Sequence, residues 1–374
     1  MFTDSYRPYT SGVVRSLDTF TRQLEGMGHR VFIFAPAYGR HQGEAGVFRY
    51  FAVPAPTNRR FYVAIPLSWR TGRTVRSLQL DVIHAHSPFG LGRLGMRHAR
   101  RQGIPVVFTY HTRYDQYAHY APLVGVHLRS WVGRLARDFA NRADAVIAPT
   151  GSIKELLQEE GVRSPLRVVP TGVDPGEFSH SDPGWARQTL HLEPGRPVIV
   201  SVGRLGAEKN LEFLIRVAGR LDDRVTLVMV GDGPLREQLE TLVRQLGLAG
   251  RVKFSGQLDR PELGSVLKAA CLMVFSSHTD TQGVVLLEAL AAGLPVVAVD
   301  APGARDMVTP GVNGFLTPPD EACFAQAVKT LLDDAQLHGE FSRAARRQAE
   351  GFSSRACAQL LVEVYREVAH QSRS

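Results

Sequence analysis

The sequence predicts an α/β fold built from two successive parallel-sheet domains, and three observations carry this. At 374 residues the chain exceeds what one ordinary hydrophobic core organises. Short apolar runs rich in Val, Ile and Phe alternate with longer stretches whose apolar residues recur every three or four positions, which is a βαβ rhythm. That rhythm lapses in a turn-rich stretch, Pro170 to Pro197, and restarts at Val198.

In the first half the expected strands are Val31–Ala35, Val82–His86, Val106–Tyr110, Ala145–Ala148 and Arg167–Val169, with helices over Val14–Met27, Leu91–Gln102, His127–Asn141 and Ser152–Glu160. The second half is expected to place strands at Val198–Val202, Thr226–Val230, Val252–Phe254, Leu272–Phe275 and Val296–Val299. Its helices fall over Leu211–Leu221, Leu235–Leu246, Pro261–Ala270 and Val284–Ala292. Phe352 to His370 has helical spacing and no partner strand, so it is expected to pack back across the joint. The predicted division is therefore 1–175, 176–351 and a terminal helix in 352–374. Parallel sheets covered on both faces bind ligands beyond the carboxyl ends of their strands. Two such sheets facing each other across a cleft would line it with both sets of loops.

Composition narrows the class. Hydrophobic residues at 44% and charged residues at 21% mark a globular chain rather than a disordered or fibrous one. The apolar run Leu286 to Val299 is broken by Glu288 and falls short of the roughly 18–20 residues that span a bilayer. Met1 leads directly into Phe2-Thr3-Asp4, with no basic start and apolar leader, so the expected location is cytoplasmic. Cys271, Cys323 and Cys357 are odd in number and widely spaced, which argues against a disulfide framework or a zinc site. Charge is uneven: residues 1–175 hold 23 Lys+Arg against 12 Asp+Glu, leaving +11, and the remaining 21 against 24 leave −3. A basic front half rich in arginines such as Arg59, Arg60, Arg70 and Arg73 attracts nucleic acid, anionic head groups or an acidic substrate, or is simply a solvated face.

The candidate chemistry sits at strand ends. Val198–Val202 runs into Gly203-Arg204-Leu205-Gly206-Ala207-Glu208-Lys209-Asn210 before a helix, so Arg204 and Lys209 flank a helix start, a good receptor for a diphosphate. Val230-Gly231-Asp232-Gly233-Pro234 and Phe254-Ser255-Gly256-Gln257-Leu258 repeat the pattern, and exposed backbone groups in the second suit a nucleobase edge. Asp280-Thr281-Gln282-Gly283-Val284 leads into an apolar helix that carries Glu288. Gly283 permits close backbone approach, the N–H groups from Val284 onward point at a ligand, and Glu288 one turn later suits vicinal hydroxyls. A Glu within so apolar a helix is costly unless paired or ligand-bound. In the front half Gly12 opens a helix, and His111, at a strand end, suits a substrate hydroxyl.

With these motifs the chain resembles the family-4 retaining glycosyltransferases of GT-B fold, two Rossmann-like domains facing each other across a cleft, over almost its whole length. The carriers are Gly203-Arg204-Leu205 with Glu208-Lys209-Asn210, the Gly231 loop, the acids Asp280 and Glu288, and Ala292-Gly293-Leu294-Pro295-Val296-Val297. The resemblance implies that Arg204 and Lys209 hold the donor diphosphate, Glu288 the ribose and Asp280 the transferred sugar. Gly12 would lie under the phosphates and His111 beside the sugar's hydroxymethyl group. It further implies no cofactor and no metal. A narrower resemblance, to bacterial diacylglycerol glucosyltransferases, rests on Thr3-Asp4-Ser5-Tyr6 with Ser11-Gly12-Val13, on His84-Ala85-His86-Ser87-Pro88-Phe89, and on His111-Thr112-Arg113-Tyr114 with Tyr117, His119 and Tyr120. It implies UDP-glucose as donor and a lipid acceptor met by Tyr114, Tyr117, His119 and Tyr120. An anionic membrane surface at the inner face of the cell would be a partner and nucleic acid would not. A soluble or polysaccharide acceptor, or sugar-nucleotide binding without turnover, stays open. Two departures stand out: Asp280 replaces the family's Glu, and the complete apolar strand expected before Phe2 is missing, so that either the start is truncated or the first strand is a stub; a central strand missing its beginning is expected to weaken the front sheet.

Overall fold

The computed structural model describes residues 1–39, 43–55, 58–66, 71–113 and 125–371, without the side chains of 58–60 and 125–129. The chain divides into two compact units, Met1–Gly172 with the stretch from Ser354, and Val173–Ser353.

In the first unit the chain runs α1 (Gly12–Gly26), β1 (Ile33–Pro36), β2 (Val47–Tyr50), β3 (Ala52–Ala55), β4 (Asn58–Ala64), α2 (Thr71–Leu78), β5 (Ile83–Ala85), α3 (Gly90–Gln102), β6 (Val106–Thr109), α4 (Gly125–Ala140), β7 (Ala145–Ala148), α5 (Gly151–Glu159) and β8 (Leu166–Val168). β5, β6, β7 and β8 pair in that order, all parallel, and β1 pairs with β2. Phe2 closes the gap between the two groups, bridging Phe34 on one side and Ala85 on the other. Four backbone bonds fix it: Phe2 N to His84 O at 2.8 Å, His86 N to Phe2 O at 2.9 Å, Thr3 N to Phe34 O at 3.0 Å and Phe34 N to Met1 O at 2.9 Å. Phe2 thus occupies a central strand position. Its ring stacks on Phe34 with centroids 4.2 Å apart, and Gly95 lets α3 approach, since a Cβ there would meet the Phe2 ring at 2.7 Å. β3 and β4 form an antiparallel hairpin.

The second unit runs α6 (Pro183–Thr189), β9 (Val198–Val202), α7 (Leu211–Gly219), β10 (Thr226–Val230), α8 (Arg236–Gln245), β11 (Val252–Gly256), α9 (Arg260–Ala269), β12 (Leu272–Phe275), α10 (Val284–Ala292), β13 (Val296–Val299), α11 (Pro302–Arg305), β14 (Gly314–Thr317), α12 (Glu321–Asp333) and α13 (Ala335–Gly351). Its six strands lie in the order β11-β10-β9-β12-β13-β14, all parallel. Alternate residues feed opposite cores: Val198 and Val200 pack with α9 and α10, whereas Ile199 packs with α7 and α12. Burial on both faces explains why the central strands are apolar at nearly every position. The chain then returns to the first unit as α14 (Ser354–Gln371), which lies against α1 and buries Cys357, Leu361 and Val364 there.

Three expectations are corrected. The turn-rich stretch Pro170 to Pro197 contains α6, because Asp182 accepts from Gly184 and Trp185 N–H and Pro183 supplies the first helical φ. Residues 47–78 hold β2, β3, β4 and α2, where no elements were expected: the strands are short, half-exposed and interrupted by Pro54, so no apolar run marks them. His111 lies two residues beyond the end of β6 rather than directly after it. Among the described residues no helix is long and apolar enough to cross a membrane.

Candidate active site

In the second unit the glycine loops pack backbone to backbone. A Cβ on Gly231, whose φ is +133°, would sit 1.9 Å from the Gly203 carbonyl oxygen, and one on Gly233 would sit 2.4 Å from that of Leu205. Gly203 N–H donates to Val230 O and Gly231 N–H to Gly256 O, both at 2.9 Å, so the ends of β9, β10 and β11 form one tight cluster. Only glycine allows this approach.

Beyond Gly203 the chain makes a 3-10 turn, Ala207–Lys209, and Asn210 adopts a left-handed conformation before α7. The end of β12 grips this turn: Ser276 Oγ donates to the Lys209 and Asn210 carbonyls at 2.7 and 3.0 Å, and Ser277 Oγ to that of Glu208 at 3.0 Å. β12 lies beside β9 in the sheet, so the loop that follows it brings Asp280 to Lys209. Lys209 Nζ donates to both Asp280 carboxylate oxygens, at 2.7 and 2.6 Å, with the two side chains 17% and 21% exposed. Asp280 is seated by Gly303, where a Cβ would stand 2.2 Å from the Asp280 carbonyl oxygen. Arg204 faces the buried Glu208 carboxylate at 3.9 Å.

Gly283, with φ +60°, is the N-cap of α10 and contributes no side chain, so the first N–H groups of the helix, Val284 included, lack the usual side-chain cap. Glu288 points from this apolar helix and is 4% exposed. It has the partner its burial demands: Arg260 Nη1 donates to Glu288 Oε1 at 2.6 Å. Leu258 sits between β11 and the Asp259 cap of α9, its side chain packed on the core.

In the first unit Gly12 is exposed at the start of α1, whose N-cap Ser11 accepts from Val14 N–H. His111 belongs to a histidine cluster. Its Nε2 is hydrogen-bonded to His86 Nδ1 at 2.8 Å, and His84 joins Tyr365 OH through Nδ1 and Thr109 Oγ1 through Nε2, both at 2.7 Å. Burial pushes His111 down to about 3 and holds His84 and His86 well below the usual histidine range, so all are neutral near pH 7. Asp4 is held by the stretch that follows His86, accepting from Ser87 Oγ at 2.6 Å and Leu91 N–H at 2.9 Å. Tyr114, Tyr117, His119 and Tyr120 lie outside the described residues.

The structure therefore joins Lys209 to Asp280 and places Gly283, Val284 and Glu288 on α10 and its N-cap, all in the second unit; Gly12 and His111 stand in the first. Sequence reasoning missed Arg260, Ser276, Ser277 and Gly303. Two consecutive serines directly after a buried apolar strand are the one signal of these that was legible.

Glycosyltransferase Family 4 matches residues 10–177, and Glycosyl transferases group 1 matches residues 186–348. The chain is 34% identical over 329 residues to the alpha-monoglucosyldiacylglycerol synthase of Streptococcus pneumoniae, covering 84% of this chain and 74% of that protein. The chain belongs to the glycosyltransferase family. It is also 30% identical over 366 residues to sulfoquinovosyl transferase SQD2 of Arabidopsis thaliana, covering 93% of this chain and 69% of that one. Among solved structures it is similar to Anabaena HepE in complex with UDP and glucose, with a TM-score of 0.80, 25% identity, and coverage of 97% and 98% of the two chains. This glycosyltransferase has the GT-B fold of two Rossmann-like domains, and its relatives include bacterial enzymes of glycolipid synthesis.

Proposed function

We propose that this glycosyltransferase is a retaining, metal-independent enzyme that moves glucose from UDP-glucose to a lipid hydroxyl such as that of diacylglycerol, working at an anionic membrane surface. The observation that carries the reading is the Lys209–Asp280 pair at the foot of the glycine loops. It sets a cation for a diphosphate and an acid for a sugar hydroxyl side by side, next to the start of α10. Lys209, Arg204 and the N–H groups from Gly283 and Val284 would take the diphosphate, Asp280 the sugar, Glu288 the ribose and the Leu258 backbone the base. Gly12 is assigned to the phosphates and His111 to the sugar's hydroxymethyl group, with Tyr114, Tyr117, His119 and Tyr120 for the acceptor.

In the reaction the acceptor oxygen attacks the anomeric carbon on the face from which the diphosphate leaves. The C–O bond to the phosphate breaks, and the hydroxyl proton passes to the departing phosphate oxygen. No protein carboxylate serves as nucleophile; the cations stabilise the leaving charge. The lipid acceptor is supported by the pneumococcal relative's name, the uridine donor by the UDP and glucose in HepE, and the membrane by the +11 charge of residues 1–175. Incubation with UDP-, GDP- and ADP-sugars, with and without diacylglycerol vesicles, tests it. Transfer of α-linked glucose from UDP-glucose that requires the vesicles is expected. Transfer to a soluble acceptor alone, or donor binding without turnover, would replace this reading.

A further inference from the structure

Arg260 is held on three sides. Its Nε and Nη2 donate to Glu177 Oε1 and Oε2 at 2.9 and 2.7 Å, a two-bonded fork. Its guanidinium lies over the Phe178 ring, 5.0 Å from the centroid, and its Nη1 donates to Glu288 Oε1 at 2.6 Å. The backbone beneath it is equally set. Arg260 opens α9, where Asp259 and Glu262 form a reciprocal capping box, and Glu177 lies in the 3-10 turn Pro175–Phe178 capped by Asp174. A planar guanidinium so anchored has little freedom left, and the direction of its Nη1 donors fixes the carboxylate it meets. The Glu288 side chain is 5% exposed against 32% for Arg260, so water does little to hold that charge in place. Without a cation, a carboxylate at this depth in an apolar helix would turn away from this position.

Resting on the reading that Glu288 receives the donor's ribose, we propose that Arg260 is a positioning residue for ribose recognition: it keeps Glu288 in one orientation, and Glu177 in turn anchors Arg260. A carboxylate has about four acceptor directions. Arg260 uses one, at Oε1, and thereby sets where the others point.

The test is ribose discrimination, the ratio of dissociation constants for a 2′,3′-dideoxynucleoside diphosphate and its ribose form, measured by calorimetry with UDP, GDP and ADP and their dideoxy counterparts. For the nucleotide the wild type binds most tightly, Arg260→Met is expected to weaken the ribose form about tenfold and the dideoxy form less than about twofold. Arg260→Lys should recover part of the loss, and Glu177→Gln should give a smaller shift of the same kind. Combining Arg260→Met with Glu288→Gln should add nothing to Glu288→Gln alone. An equal loss for both nucleotide forms, or no loss, overturns the positioning role. If Glu288→Gln leaves discrimination intact, or no nucleotide binds, the ribose reading falls and this role with it. If Glu288→Gln abolishes discrimination while Arg260→Met and Glu177→Gln do not, only the positioning role falls. Should Arg260→Met fail to fold, Glu177→Gln decides by the same ratio.

Discussion

The buried residues of the second unit's strands carry no ionisable side chain, Ser201, Thr226 and Thr317 being polar but uncharged, and the charged groups of its candidate site sit in loops and helices beyond the strands. The first unit differs. Its sheet is joined at the centre through Met1 to Thr3, and it carries ionisable groups inside the layer: His84 and His86 are buried there beside Thr3 and Thr109. The second unit thus separates stability from chemistry, with an inert sheet below and charges above. The first mixes them, so that its packing and its histidine cluster share the same residues. One consequence is that conditions which protonate side chains should act on the two units unequally.

Acid should show this most strongly. His84, His86 and His111 have folded values below the ordinary 6.5, chiefly through burial, so below about pH 6.5 the unfolded chain binds protons that the folded unit refuses. Stability is complete above that value and falls as pH drops toward about 3, the folded value of His111. Up to three protons correspond to roughly 4 kcal/mol per pH unit at the steepest. The Met1 amine, lowered to about 5 by burial, acts in the same sense from pH 8 downward, whereas Asp4, raised by burial, offsets part of the loss at the acid end. Hydrogen exchange at several pH values is expected to show the first unit opening before the second. Parallel acid profiles for the two would break the comparison.

Phe2→Ala comes next. It empties the space between Phe34 and α3 and should destabilise the first unit by about 3–5 kcal/mol. Faster exchange at β1 and β5 with unchanged exchange in β9 and β12 is the expected pattern. An unaltered first unit would mean that Phe2 does not hold the two strand groups together.

The smallest effect sharpens the contrast from the other side. Lys209→Ala removes a charge-assisted contact proposed for the diphosphate, costing ~1.5–3 kcal/mol of transition-state stabilisation, at least a tenfold fall in transfer rate. The pair it breaks is partly exposed, so stability should change by less than about 1 kcal/mol. Wild-type turnover in this variant would remove Lys209 from the donor site.

Much of the second unit was legible because a strand buried on both faces is apolar at nearly every position. Val198–Val202, Thr226–Val230, Leu272–Phe275 and Val296–Val299 all stand out on that ground. α12 was readable too and was passed over: Asp320 caps it, and Phe324, Val328 and Leu331 repeat at helical spacing. The hairpin of β3 and β4 offered no comparable signal, since Phe51, Val53 and Val63 are exposed and Pro54 interrupts the alternation.

The sequence by itself determined that Glu288 needs a partner, because an ionised carboxyl cannot be left alone in an apolar helix. It did not determine which partner. Arg260 stands 28 residues before Glu288, Glu177 a further 83 before Arg260, and Lys209 stands 71 residues before Asp280. These pairs exist because β9 lies between β10 and β12 and because α9 and α10 pack on one face of the sheet. Local periodicity specifies that a segment is a strand or a helix and which side is apolar. The order in which strands lie beside one another follows from how their connections cross, and charges meet only where that order brings strand ends together.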